Sequence, residues 1–361
     1  MKNMDGKVVS IFDNDYKNWL VELKQRYKQS QIKAAVKVNS ELLRYYWMLG
    51  KDIIEKKSIA KWGSKFYETL SKDLKEMLPD SAGFSIRNLQ YMKQFYEMFP
   101  ASVITPQVGA QNQIEITPQV GAQIFLVPWN HIKTIMDKVD GDQEKALFFI
   151  QKTIDNNWSR DLLCNFLSTN LYERQGKSIS NFEYHLPKEN SALAQQITKD
   201  PYNFSFLSLN EEYNEKELKD ALVDNIQKFL IELGTGFAYM GKEYRLQIGD
   251  NEEFIDMLFY NTKIHAYVVI EVKTKEFKPA DIGQLGTYVV AVDHLLKNER
   301  DEKTIGLLVC KDKNEILARY ALESSREPLG ISSYELSQLT PKNFKSSLPT
   351  IEEIEKELNN K

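Results

Sequence analysis

The sequence predicts a multidomain chain of two fold classes, a helical amino-terminal domain followed by a mixed β-sheet flanked by helices. The first half repeats apolar residues at helical spacing. The second half contains four runs that are rich in β-branched and aromatic residues, and an amphipathic helix separates the last two. A chain of 361 residues that is 42% hydrophobic is also long enough for two or three domains, so the change of pattern is interpreted as a domain boundary.

Helical spacing dominates the first hundred residues. Apolar residues three or four apart predict two helices across residues 15–57 and a third near residues 65–77. In the next segment, GFSIRNLQYMKQFYEMFP, Ser85 precedes an apolar series and is the predicted N-cap of a fourth helix. The polar face of this helix carries Arg87 and Lys93, which are side-chain types that contact phosphates or base edges. A helix-turn-helix and an ordinary amphipathic helix are alternative interpretations of this spacing.

A short identical repeat interrupts the helical pattern. The octapeptide ITPQVGAQ occurs at residues 104–111 and again at 116–123. Two copies are too few for a solenoid, so we expect a surface loop near residues 101–124. Helices then resume, and a polar stretch predicts a linker to the second domain. The expected organisation is a helical domain over 1–175, a linker over 176–205, a second domain over 206–345 and a charged tail over 346–361.

Charge and cysteine usage narrow the class of protein. The net charge is −4, but residues 1–100 hold 18 Lys and Arg against 12 Asp and Glu, so the front of the chain is basic. Such an excess either faces phosphates or is an ordinary solvated surface. Cys164 and Cys310 are far apart, which supports neither a disulfide framework nor a cysteine zinc site. With no signal sequence and no apolar stretch long enough to span a bilayer, we expect a soluble cytoplasmic protein with no membrane partner.

The second half begins with one predicted helix and continues with strands. The helix covers NEKELKDALVDNIQKFLIELG, and the strand-like runs are FAYMGKEYRLQI, EFIDMLFY, AYVVIEVK and TIGLLVC. The second and third runs are joined by the short connection NTKIH, which predicts an antiparallel hairpin. A helix from about residue 280 to 296 separates the last two runs, and this arrangement indicates a mixed sheet flanked by helices.

Three charged residues of this predicted hairpin are candidates for a functional site. Glu271 and Lys273 share one face of a strand that is otherwise apolar, and the turn brings Asp256 across from Glu271 within about one pair of register. Facing carboxylates repel each other unless a cation lies between them, and Mg²⁺ favours such oxygen ligands. An exposed ion pair and a satisfied buried aspartate are alternative interpretations of the separate residues. Their combination favours phosphodiester hydrolysis, with Lys273 reaching the attacking water or the scissile phosphate.

These residues and the segments around them resemble the YhcG-like family of PD-(D/E)XK nucleases. The resemblance covers nearly the whole chain, and its segments include YYWMLGKDI, GFSIRNLQYMKQFY, VPWNHI, FLIELGTGFAYMGKEYRLQIG and EFIDMLFYNTKIHAYVVIEVKTKEFKPADIGQLGTYVVAVD. It implies a restriction-endonuclease-like second domain in which Asp256 and Glu271 hold a metal and Lys273 is the catalytic lysine. The Val272 carbonyl is a further candidate ligand.

Two more positions match the family by resemblance. Gln284 matches a glutamine that follows the motif, and Glu232 is placed on the acidic residue of the first helix, as a fourth candidate metal ligand. Ile255 stands where the motif has proline, a position that varies across the superfamily. The resemblance also implies Mg²⁺ as cofactor, with Mn²⁺ as a substitute, and DNA as partner.

Other functions remain as alternatives. One is a non-catalytic module on a nuclease-like fold that binds nucleic acid or another protein, although the complete Asp-Glu-Lys set argues against it. HExxH and P-loop motifs do not occur, and Tyr239 replaces the third glycine of GxGxxG, so a nucleotide cofactor is not expected. DNA or RNA, and a monomer or a homo-oligomer, stay open from the residues alone.

Overall fold

The computed structural model describes residues 14–60, 63, 65–79, 83–104, 123–336 and 339–340. The chain divides into two compact units, Met1–Ser168 and Thr169–Lys361. The predicted fold class is confirmed, because the first unit is helical and the second contains a mixed sheet flanked by helices. Most of the ITPQVGAQ repeat and the tail over 346–361 lie outside the described residues.

In the first unit, helix α1 (Asn14–Ala60) packs against helix α3 (Ile86–Met98) and against the 3₁₀ helix Ile124–Leu126. Two separate helices were predicted over residues 15–57, but the structure has one continuous helix there. Gly50 lets α1 lie directly against α3, since a Cβ at this position would be 2.0 Å from the backbone oxygen of Met92. Ser85 is the N-cap of α3 as predicted, and its hydroxyl accepts a hydrogen bond from Asn88 N at 3.2 Å. The helices are α1 (Asn14–Ala60), α2 (Phe66–Met77), α3 (Ile86–Met98), α4 (Ala101–Ile104), the 3₁₀ helix Ile124–Leu126, α5 (Trp129–Lys138), α6 (Gln143–Asn156) and α7 (Arg160–Ser168).

The second unit alternates short helices with strands. The predicted helix over NEKELKDALVDNIQKFLIELG is divided at Asn225 into two helices. The elements are α8 (Leu171–Arg174), β1 (Ile179–Ser180), α9 (Phe182–His185), α10 (Lys188–Ile197), β2 (Tyr202–Asn203), β3 (Leu209–Asn210), α11 (Glu215–Asp224), α12 (Ile226–Leu233), β4 (Phe237–Ile248), β5 (Asn251–Asn261), β6 (Ala266–Glu276), α13 (Pro279–Leu295), β7 (Ile305–Asp312), α14 (Glu315–Glu323), β8 (Leu329–Glu335) and β9 (Leu339–Thr340).

The main sheet has the order β1-β8-β7-β6-β5-β4, with β2 also pairing with β8. Strands β5 and β6 form the predicted antiparallel hairpin, whereas β6, β7 and β8 run parallel to one another. Helices cover both faces of this sheet. One apolar cluster joins β6 and β7 to α11 and α12, and the other joins the sheet to α13 and α14. Residues of the central strands are therefore buried on either face, which makes any charged side chain among them costly unless it has a partner.

The segment predicted as a linker, residues 176–205, is instead folded into the second unit. Its strand β1 pairs antiparallel with β8, and its strand β2 pairs parallel with β8. Tyr202 and Phe204 are fully buried in the core, and the Asn181 side chain accepts a hydrogen bond from Leu329 N at 2.7 Å. Part of the polar composition that suggested a linker is used in hydrogen bonds to the sheet edge, as at Asn181. The remaining predicted domain limits stay predictions.

Cys164 and Cys310 are both free thiols. Burial raises the pKa of the Cys310 thiol to about 12, so it remains protonated at neutral pH. In the part of the chain that the structure describes, no helix combines the length and apolar character needed to cross a membrane.

Candidate active site

Asp256 and Glu271 meet where the β5–β6 hairpin ladder ends. The ladder pairs Met257 with Ile270, and Asp256 and Glu271 are the next residues on the two strands. Their side chains replace the ladder hydrogen bonds at this point. Asp256 N donates to Glu271 Oε1 at 3.1 Å, and Val272 N donates to Asp256 Oδ2 at 3.0 Å. The opposite strand's backbone therefore fixes each carboxyl group, and the predicted convergence of the two is present.

Both carboxyl groups are buried. Asp256 is 8% exposed and Glu271 is 2% exposed. The pKa of Glu271 is raised to about 8. Burial is the largest cause, and the charge of the neighbouring Asp256 is the second. A pair of buried carboxylates needs nearby positive charge to remain ionised together, and the surrounding lysines supply part of it.

Lys273 lies on the same side of the sheet as Glu271, as predicted. Its Nζ is 3.7 Å from Glu271 Oε2 and 3.7 Å from Glu215 Oε2. Burial favours the neutral amine, but the carboxylates of Glu271 and Glu215 outweigh this effect, and the pKa of Lys273 is raised. Lys273 therefore stays protonated at neutral pH, and its positive charge can balance negative charge in the site.

Helix α11 contributes two residues that the sequence reasoning missed. Glu215 contacts Lys273, and one turn later Lys219 Nζ lies 2.7 Å from Asp256 Oδ1 with its side chain 15% exposed. Residues four apart lie on the same face of a helix, so one face of α11 supplies an acid and a base to the site. The Glu215 to Lys219 spacing was visible in the sequence, but no local pattern shows which strand that helix face will cover.

Gln284 lies on α13 and is connected to the site through Tyr288. Its Nε2 donates to the Tyr288 hydroxyl at 2.9 Å, and that hydroxyl lies 3.4 Å from Glu253 Oε2. Burial raises the pKa of Tyr288, and the charge of the nearby Glu271 raises it further. Gln284 thus contacts the Tyr288 phenol, and it is this phenol whose pKa responds to the charge of Glu271.

Glu232 is placed away from this cluster, contrary to the expectation that it is a metal ligand. Its carboxylate forms a buried salt bridge with Arg174, whose Nη2 donates to Oε2 at 3.1 Å, and Asn203 N donates to Oε1 at 2.9 Å. Arg174 and Glu232 are each 5% exposed. Both oxygens are used in joining α12 to α8 and β2, so Glu232 has a structural role. Glu215 is the helical acid that reaches the candidate site.

This structural role predicts an asymmetric mutational effect. Glu232→Leu alone should lower the free energy of unfolding by about 3–5 kcal/mol, because it leaves a buried guanidinium without its partner. The double variant Arg174→Met/Glu232→Leu should recover much of that loss, since both charges are gone. Chemical denaturation measures both effects. Equal destabilisation by the single and double variants would contradict the assignment.

The two predicted nucleic-acid contacts lie in the first unit. Lys93 Nζ is paired with Glu97 Oε1 at 2.8 Å along α3, and Arg87 Nη2 donates to the Tyr91 hydroxyl at 3.3 Å. Arg87 is exposed and Lys93 is half-buried. The two side chains therefore have different surroundings, although they belong to the same helix.

The donor set of the hairpin fits a divalent cation. In the regions that the structure describes, no three His, Cys, Asp or Glu side chains form a group that could hold one ion, so the protein ligands would be two carboxylates. This ligand number suits Mg²⁺, which commonly takes one or two carboxylates and completes its shell with water and phosphate. Val272 contacts Asp256 through its N–H, and its carbonyl stays a predicted ligand.

The fold and the hairpin belong to a recognised class of protein. Residues 195–349 match the family described as the YhcG PDDEXK nuclease domain, so the second unit is a nuclease domain with the expected restriction-endonuclease-like architecture. Residues 22–174 match the DUF1016 N-terminal domain, and with both matches the chain belongs to the YhcG-like family of PD-(D/E)XK nucleases.

Individual relatives are more distant. The chain is 27% identical over 321 residues to the Escherichia coli (strain K12) protein YhcG, a nuclease candidate by its name, with 83% of this chain and 84% of that protein covered. A repair endonuclease from Pyrococcus abyssi is 18% identical with a TM-score of 0.24, covering 37% of this chain and 50% of that one. The complex of EndoMS with double-stranded DNA is 19% identical with a TM-score of 0.26, covering 40% and 51%. The match thus spans about half the length of either solved structure.

Proposed function

We propose that the chain is a metal-dependent nuclease that hydrolyses phosphodiester bonds in DNA. The observation that carries this proposal is the convergence of Asp256 and Glu271 at the end of one hairpin ladder, with Lys273 beside them, inside a nuclease domain. DNA as the substrate is supported by the family resemblance. A cytoplasmic location belongs to the same proposal, and two free thiols are compatible with a reducing compartment.

The carboxylates of Asp256 and Glu271, with the Val272 carbonyl, would hold Mg²⁺ or Mn²⁺. Such an ion, when bound, supplies polarisation of a phosphate oxygen and a lowered pKa of water. The protein's own groups complete the site. Lys273 remains an ammonium and would offset the negative charge that develops on the phosphate, because Glu271 and Glu215 keep it protonated. The Glu215 contact also positions the Lys273 ammonium, and Gln284 would act through its hydrogen bond to Tyr288.

A cleavage assay on matched substrates tests this proposal. The full chain is incubated with linear, supercoiled, single-stranded and branched DNA, and with RNA of the same sequence, in Mg²⁺, Mn²⁺ or EDTA. We expect cleavage of at least one DNA form with either ion and none in EDTA. Binding of nucleic acid without cleavage under every condition would favour the non-catalytic module, and cleavage of RNA alone would overturn the substrate assignment.

Lys219 is predicted to compete with the metal for Asp256. Lys219→Met should lower the stability of the metal-free protein, because a buried carboxylate loses its ion pair. It should also raise the affinity for Mg²⁺, since no internal ammonium then occupies Oδ1. Calorimetric titration with Mg²⁺ measures this affinity, and Lys216→Met, on the exposed side of the same helix, is the matched control. An unchanged affinity in Lys219→Met would contradict the competition.

A further inference from the structure

A cleft in the first unit brings together three basic side chains from three helices. Arg87 lies in the first turn of α3, Lys133 lies on α5, and Arg160 is the first residue of α7. The cleft has a volume of about 280 Å³. We call it the basic cleft, defined by Arg87, Tyr91, Lys133, Asp137 and Arg160. It follows one face of α5 and passes beside the first turns of α3 and α7.

Tyr91 organises the charges of the basic cleft. The Arg87 guanidinium carbon and Lys133 Nζ each lie 5.7 Å from the centroid of the Tyr91 ring. The Tyr91 hydroxyl is 2.9 and 2.8 Å from the two carboxylate oxygens of Asp137. An aromatic face attracts cations, so the Tyr91 ring holds both cations beside it. The two side chains are thus placed before any ligand arrives.

The charges in the basic cleft do not balance. Among the described residues that line it, Asp137 is the one carboxylate against three cations, and Tyr91 already engages it. Three cations around one small space repel one another unless an anion joins them. The lining is otherwise polar, and it includes the Ser85 hydroxyl and the Asn130 amide, which are groups that can donate to phosphate oxygens. An anionic ligand with several hydrogen-bond acceptors is the complementary partner.

We propose that the basic cleft binds the phosphate backbone of nucleic acid without reading its sequence. The Tyr91 ring is occupied by two cations and does not offer a free stacking platform for a base, so phosphate contact is the favoured mode. This inference rests on the proposed function, because it locates where that substrate is held. Lys133 and Arg160, rather than Lys93, are proposed to contact phosphate together with Arg87, because the Lys93 ammonium is paired with Glu97.

The salt dependence of binding tests the basic cleft. Affinity of the full chain for a DNA duplex is measured in EDTA, so that no cleavage occurs, over a range of salt concentrations. The triple variant Arg87→Gln/Lys133→Gln/Arg160→Gln should reduce the slope of log affinity against log salt by about 2.7, from three lost phosphate contacts at about 0.9 each. This reduction of the slope implies that, at about 0.15 M salt, the triple variant binds DNA about a hundredfold more weakly than the wild type.

Two further variants separate the cleft from general charge and from misfolding. Lys65→Gln/Lys75→Gln/Lys138→Gln removes the same formal charge from exposed positions that do not line the cleft, and it should keep the wild-type slope. Arg87→Lys/Lys133→Arg/Arg160→Lys preserves the charge and should retain most of the slope. An unchanged slope in the Gln triple variant, or an equal loss in the exposed control, overturns the proposal.

The outcome is also distinguishable from failure of the nuclease assignment. If the wild-type chain cleaves DNA with metal but the Gln triple variant keeps the wild-type slope, the nuclease assignment stands and the basic-cleft proposal is wrong. If the Gln triple variant loses slope but the wild-type chain cleaves no nucleic acid with any metal, the basic-cleft proposal stands and the nuclease assignment is wrong. A wild-type chain that binds no nucleic acid in EDTA contradicts the cleft directly.

Discussion

Asp256→Asn and Glu271→Gln are each expected to lower the single-turnover rate of DNA cleavage by about 10³-fold or more in saturating Mg²⁺. Each substitution replaces a charged ligand by a neutral group of the same size, so the backbone hydrogen bonds between β5 and β6 can persist. A bound cation contributes several kcal/mol to stabilising the transition state, and each loss of about 1.4 kcal/mol slows the reaction tenfold.

The matched control for this prediction lies on the same strand. Glu252 is exposed on β5 and pairs with Arg245 at 2.5 Å, so Glu252→Gln removes a carboxylate four residues from Asp256 without touching the pair. Its cleavage rate should stay near the wild-type value. Undiminished cleavage in both Asp256→Asn and Glu271→Gln would place the activity at another site.

The stability of the metal-free protein is expected to fall as the pH rises from about 5 to about 8, and Glu271→Gln should remove most of this fall. The folded protein holds the Glu271 proton up to a pKa of about 8, whereas the unfolded chain releases it near 4.5. The folded state therefore binds more protons across this window. The stability that Glu271 contributes is fully present below the unfolded-state pKa, near 4.5, and is lost as the pH rises toward the folded-state pKa of about 8.

The size of this effect is a few kcal/mol, because each unit of difference in pKa corresponds to about 1.4 kcal/mol. For a unit of this length that amounts to a shift in Tm of about 10 °C. Thermal unfolding in EDTA at pH 5 and pH 8 measures it, with Glu252→Gln as the control. Addition of Mg²⁺ at pH 8 should restore the wild-type Tm and leave that of Glu271→Gln nearly unchanged. A wild-type Tm that is equal at both pH values would contradict the buried carboxylate pair.

The hairpin and its carboxylates were predictable because they depend on local rules. Strand alternation placed Glu271 and Lys273 on one face, and the short connection between the strands fixed the register that brings Asp256 to Glu271. The cap at Ser85 is equally local, since its hydroxyl needs only the backbone three residues later. Such features are decided within one element or one turn.

The errors involve contacts between distant parts of the chain. Glu232 was assigned to the metal by resemblance, and its partner Arg174 is 58 residues away, where no spacing rule could have shown the contact. Lys219 was missed for the same reason, as it reaches Asp256 only when α11 docks on the sheet. In the predicted linker, polar groups such as the Asn181 side chain bond to the end of β8, and sequence composition does not distinguish such groups from ones exposed to water.

The proposed nuclease depends on a metal centre formed by Asp256 and Glu271. Anomalous diffraction from crystals of the protein soaked in Mn²⁺ tests it most directly, because the ion is located without reference to activity. We expect an anomalous peak bound by both carboxylates, with Lys219 Nζ displaced from Asp256 Oδ1, and no such peak in crystals of Glu271→Gln. Mn²⁺ bound at other residues, with Asp256 and Glu271 left without an ion, would contradict the assignment of these two carboxylates as metal ligands.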